Sequence, residues 1–168
     1  MFRESVANRV NWLVGISVLL VTIAVSPKTT LDPINLPKFW ILLAIGVAIT
    51  LMMVTQPKDL LNRTNRQIIG AAVAVLIFML LSLLLSKIAK AQQLFGVYGR
   101  NTGFLTYLAF VSLFIGTAVA TNIKVKKSFI IGASVALATN AIYGAIQANA
   151  IDVFEWSNPY SPVIGTFG

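Results

Sequence analysis

Five stretches without a charged residue, 10–26, 39–56, 67–86, 101–123 and 128–151, take up most of this 168-residue chain. A helix rises about 1.5 Å per residue, so a hydrocarbon core of about 30 Å needs about 20 residues. The last three stretches reach that length unaided. The first two are at the short end and span if Trp12 and Trp40 sit among the headgroups while Arg9 and Lys38 snorkel. The runs are continuously apolar rather than alternating, which predicts helices and not strands. The expected fold is an all-α polytopic transmembrane bundle of about five spans, forming a single domain over 1–168. The start also carries features of a signal peptide: Arg3 and Arg9, an apolar run, then Ala24-Val25-Ser26. Pro27 directly after that site disfavours cleavage, so an uncleaved first span is expected.

Composition narrows the chemistry. Charged residues make up 11% of the chain against about 25% in a typical soluble domain, and the mean hydropathy is +0.83. There is no cysteine and no histidine. That removes disulfides, iron–sulfur ligation, a cysteine nucleophile, imidazole metal sites and a histidine base within these residues. No metal or cofactor is expected. The five carboxylates are Glu4, Asp32, Asp59, Asp152 and Glu155.

The net charge of +8 comes from bases scattered in twos and threes between apolar runs. That layout sets membrane orientation and does not form a nucleic-acid patch. Segments on the N-terminal side hold eight Lys and Arg (Arg3, Arg9, Lys58, Arg63, Arg66, Lys124, Lys126, Lys127). Those on the other side hold five (Lys28, Lys38, Lys87, Lys90, Arg100). The bias predicts a cytoplasmic N-terminus, and places 152–168 outside.

Two stretches carry small-residue stripes. In 128–151, Gly132, Ala136, Asn140, Gly144 and Ala148 recur every four residues, and Asn140, Tyr143 and Gln147 lie near one face. In 101–123 the stripe is Ala109, Ser112, Gly116 and Ala120. Small residues let helix backbones approach closely, and polar ones in lipid need partners. Bundle packing is the simpler reading of the polar face; a polar cavity lining is the other. The first three stretches are uniformly Leu, Ile and Val and are expected to face lipid. Stripes late in the chain imply further helices, either beyond Gly168 or in a partner bundle.

Two loops are informative. Segment 92–104 contains Gly96, Gly99 and Gly103, which permit turns and close backbone approach. Arg100 is expected where the fourth helix begins, beside Asn101 and Thr102. There it either anchors the helix among headgroups or joins the free N–H groups in holding a phosphate. Segment 152–168 has Pro159 and Pro162, which stop a helix, and the interfacial aromatics Phe154, Trp156 and Tyr160. Asp152 and Glu155 would meet on one helical turn. With no third ligand nearby they read as a solvated helix end rather than an acid–base pair. The ending Gly165-Thr166-Phe167-Gly168 reads as a cut in a longer outer loop.

Segment 95–108, Phe-Gly-Val-Tyr-Gly-Arg-Asn-Thr-Gly-Phe-Leu-Thr-Tyr-Leu, resembles the loop and helix start of the bacterial O-antigen ligase and polymerase family. Segment 156–168 resembles the stretch that in this family leads through Asn-Pro-Asn into the next span. Tyr143 and Gln147 fit its Tyr-x-x-x-Gln pattern. The resemblance covers the first part of the family's length, and implies a partial GT-C-type fold in the bacterial inner membrane. It implies glycan transfer on the outer face, from undecaprenyl diphosphate to an acceptor, without a nucleotide sugar. Arg100 is the residue it carries over, as a diphosphate contact. Many members have paired arginines where this chain has Gly99-Arg100. The family's catalytic histidine and further arginines would lie beyond Gly168, so this piece alone is expected to be inactive.

Two other classes are weighed against this one. A lipid-linked glycan flippase or transporter would carry charges near the bilayer midplane, and the five stretches have none. A small non-enzymatic membrane subunit would use the packing stripes to bind a partner.

Overall fold

A computed structural model describes residues 2–26, 34–55, 63–97, 100–120, 126–149 and 151. Every regular element among them is a helix. They are α1 (Phe2–Ile23), α2 (Asn35–Thr55), α3 (Arg63–Leu85), the short α4 (Lys90–Phe95), α5 (Phe104–Ala120) and α6 (Lys126–Ala148). Three are long and apolar enough to cross a membrane: Asn35–Thr55, Asn65–Leu85 and Lys127–Ala148. Two shorter apolar helices, Asn8–Ile23 and Phe104–Ala118, accompany them. Their outer faces are strongly apolar. Phe78 is 71% exposed and Leu85 82%, surfaces that water would not tolerate and lipid would cover. These are the elements of a membrane protein.

Lengths depart from the charge-free stretches at several places; α1, for one, begins at Phe2 and takes in Arg3, Glu4 and Arg9. The 39–56 stretch looked short, but α2 begins at Asn35 and takes in Pro37 and Lys38. Proline is tolerated in a first turn, where its missing N–H has no partner to lose. The 101–123 stretch looked long, but α5 begins only at Phe104, after Gly103, and spans 17 residues. An uncharged residue is not thereby a helical one.

The core sits where α1 crosses α2. Val10, Val14, Ile45 and Ile49 are buried together, with Leu13, Ile41, Met52, Met53 and Leu113 packed around them. Ile49 is wholly buried because Gly116 of α5 leaves room for it: a Cβ there would come within 2.6 Å of Ile49 Cγ2. α2 and α5 run side by side through Gly46 against Ala109, and Thr50 Oγ1 donates to Ser112 Oγ at 2.9 Å. α1 and α6 meet through Gly15, Ser128 and Gly132, with Ser128 Oγ donating to Asn11 O at 2.9 Å. In both pairs residue numbers rise together, so α1 parallels α6 and α2 parallels α5.

The first and second helices are therefore central and not lipid-facing as their uniform apolarity suggested. Val10, Asn11, Val14 and Ser17 of α1 are buried, as are Phe39, Leu42, Ile45 and Ile49 of α2. In lipid, apolarity does not report which face is inside, because the solvent is equally apolar. α3 does meet the expectation: it packs on α5 and α4 and exposes most of its length. Both small-residue stripes are used for packing. Ala109, Ser112 and Gly116 are buried in α5, and Gly132, Ala136 and Asn140 in α6. Hydroxyls within the helices bond to carbonyls one turn back, as Thr117 to Leu113 O and Thr139 to Val135 O, so they enter lipid satisfied.

Candidate functional site

The alternation of helices brings the end of α3, α4 and the start of α5 to one end of the bundle, with the start of α2. Phe95 of α4 stacks edge-on against Phe39 of α2, ring centroids 6.2 Å apart. Arg9, Arg66 and Lys127, all exposed, lie at the other end.

Lys90 explains the corner between α3 and α4. Its Nζ donates to Leu83 O, to Leu84 O and, at 3.1 Å, to Ser86 O. The last carbonyls of a helix have no partner within it and form the negative end of its dipole, so a cation there satisfies both. Gln93 Nε2 donates to Ile88 O at 2.7 Å and ties α4 to the same link.

This corner opens into a cavity of about 380 Å³, lined by Ser82, Ser86, Gln92, Gln93, Thr102 and Tyr107 among apolar neighbours. Among the described residues the lining carries hydroxyls and amides but no charged side chain. A second, almost wholly apolar cavity of about 320 Å³ runs between α3 and α5, lined by Ala71, Ala72, Val75, Phe110, Val111 and Phe114. Met79 and Tyr107 line both. Together they make a groove whose mouth at the loop mixes hydroxyls and amides with apolar groups, and whose trough, towards the middle of the helices, is apolar. Phe110 and Phe114 are more than half exposed, so the trough opens sideways, towards lipid.

Arg100 stands on the rim of the mouth, not in its lining. It is exposed, between Val97 and Thr102, which do line it. Its N–H and that of Asn101 both donate to Val97 O, at 3.0 and 3.1 Å. The helix does not begin at Arg100: α5 starts at Phe104, and its first free N–H groups lie beyond Arg100, Asn101 and Thr102. The expected sum of arginine and helix N-terminus is thus looser than the sequence implied.

Of the other residues singled out, Asn140 and Gln147 are buried and Tyr143 half-buried on α6, which packs on α1. All three have bonding partners, and none lines the groove. Their arrangement suits packing. Asp152, Glu155 and the 156–168 motif lie outside the described residues. Sequence reasoning missed the mouth itself. Ser82 in the apolar part of α3, Ser86 one turn on and just past its end, and the pair Gln92-Gln93 were its visible signals.

The arrangement can bind an amphiphile, with a hydrogen-bonding head at the mouth, an anion at the Arg100 rim and an apolar tail along α3 and α5. Against known protein families, curated proteins and solved structures, the chain has no match.

Proposed function

We propose that this chain is part of an O-antigen ligase-type glycosyltransferase of the bacterial inner membrane, with its N-terminus cytoplasmic, five spans and a GT-C-type fold. The single observation that carries the reading is the groove. Its mouth, with hydroxyls and amides among apolar side chains, suits a glycan, its rim bears Arg100, and its trough suits a polyprenyl tail. An undecaprenyl-diphosphate-linked glycan has one part of each kind: hydroxyl-rich, anionic and apolar. The motif Phe-Gly-Val-Tyr-Gly-Arg-Asn-Thr-Gly-Phe at 95–104 supports it independently.

In this reading the leaving group is already an activated diphosphate. The protein must hold it in line and stabilise charge on its oxygens as the glycosidic bond breaks. Arg100 supplies a fork of donors for those oxygens without a metal. The resemblance implies that the group that deprotonates the acceptor comes from elsewhere in the complete protein.

The test is glycan transfer in membranes that carry the complete protein. Arg100→Ala should lower transfer by about a hundredfold, the usual cost of losing one donor to a developing oxyanion. Arg66→Ala, at the opposite end, should leave it near the parent level. Equal transfer by the two variants would sink the role of Arg100.

A further inference from the structure

We infer that Gly96, Asn101, Gly103 and Thr106 form a clasp that fixes the direction in which Arg100 is presented, and that they are positioning residues for it. This rests on the reading of Arg100 as the diphosphate contact. Gly96 ends α4 with φ +90°, and its backbone lies directly on that of residues 102 and 103. A Cβ on Gly96 would come within 2.4 Å of Thr102 N, and one on Gly103 within 2.3 Å of Leu94 O. Both neighbours are backbone and cannot step aside as a flexible side chain can. The two glycines therefore close the base of the turn, where any larger residue would wedge it open.

The other half of the clasp acts on the residue next to Arg100. Asn101 has φ +50°, a left-handed conformation that asparagine and glycine adopt and β-branched residues resist. Its carbonyl accepts a hydrogen bond from the Thr106 hydroxyl, buried in the first turn of α5. A helix thus holds the carbonyl that follows Arg100, while the glycine pair holds the chain on both sides. Gly96 and Gly103 also line the mouth, so one contact sets both the shape of the opening and the place of the arginine beside it.

The chain has no cysteine, so one introduced thiol is a unique reporter. Arg100→Cys, purified in lipid nanodiscs, is treated with a water-soluble maleimide in four backgrounds: parent loop, Gly96→Ala, Thr106→Val and Thr106→Ser. Loss of the buried hydrogen bond in Thr106→Val, or the wedge in Gly96→Ala, should change the modification rate by about fivefold. Thr106→Ser keeps the hydroxyl and should restore the parent rate. Lys127→Cys, at the far end, should react alike in every background. If Gly96→Ala does not assemble, the Val and Ser pair at 106 decides alone. Rates that stay equal across the backgrounds overturn the clasp, even if Arg100→Ala abolishes transfer. Altered rates with full transfer by Arg100→Ala leave the clasp standing and remove the diphosphate role.

Discussion

Gly15 of α1 and Gly132 of α6 lie backbone on backbone. A Cβ on Gly132 would come within 2.2 Å of the Gly15 carbonyl oxygen, and one on Gly15 within 2.6 Å of Ser128 O. Lipid gives helices no hydrophobic reason to associate, so the contact depends on close packing. Gly132→Leu must force the helices apart. The expected cost is about 1–3 kcal/mol, that of overpacking a tight site, read as a lower unfolding temperature in detergent. Gly70→Leu should be near neutral, because nothing lies within 4 Å of the space its Cβ would fill. Equal losses from the two would mean that this approach does not hold α6 in place.

The seam between α2 and α5 combines a steric and a polar lock. Ile49→Ala empties a wholly buried site and should cost about 2–5 kcal/mol. The Thr50–Ser112 bond is expected to contribute far less. Hydrogen bonds between membrane helices couple by about 0.6 kcal/mol on average, because the partners find substitutes when separated. A double-mutant cycle with Thr50→Val and Ser112→Ala measures this term directly. A coupling above about 2 kcal/mol would exceed what such bonds reach in lipid.

How much of this was legible beforehand depended on the physics involved. Charge-free runs located all five apolar helices, since a buried charge is too costly to hide within one. They could not give helix ends, because Lys38 lies inside the first turn of α2 while uncharged Asn101 and Thr102 remain outside α5. The stripes Gly132–Ala136 and Ala109–Ser112–Gly116 were readable, since only small residues permit such contacts. The burial of α1 was not, because Leu, Ile and Val suit lipid and protein interior alike. At the site, Arg100 and the glycines of its loop stood out by type. The groove they border depends on how α3 approaches α5, and no local pattern encodes that approach.

Lys90 shows how a basic residue can be spent on structure. It sits three residues from Lys87, which is also exposed, yet it is Lys90 whose ammonium caps the last carbonyls of α3. Lys90→Met keeps much of the aliphatic stem and removes the charge. It should destabilise the end of α3 by about 0.3–1 kcal/mol, the usual worth of a cation at a helix C-terminus. Hydrogen exchange should report faster opening at Leu84 and Leu85, with the middle of α3 unchanged. Lys87→Met should leave both rates alone.

The trough between α3 and α5 makes a prediction about what it contributes to binding. A polyprenyl tail that leaves lipid for a groove open to lipid exchanges one apolar surroundings for another, and gains little. Affinity must then come from the mouth, and the trough must act by admitting the tail in one direction. Three outcomes follow for a polyprenyl diphosphate probe that carries a short glycan, bound to the chain in nanodiscs. Ala71→Trp, which fills the trough, should exclude the probe, while Leu137→Trp on the outer face of α6 should not affect it. Shortening the tail should change affinity by less than about threefold, because the roughly 0.8 kcal/mol per CH₂ gained on leaving water does not apply here. By contrast Thr102→Val, which removes a hydroxyl from the mouth, should weaken binding by about fivefold. Unchanged binding in Ala71→Trp would place the tail elsewhere. A steep dependence on tail length would show that the trough grips rather than guides.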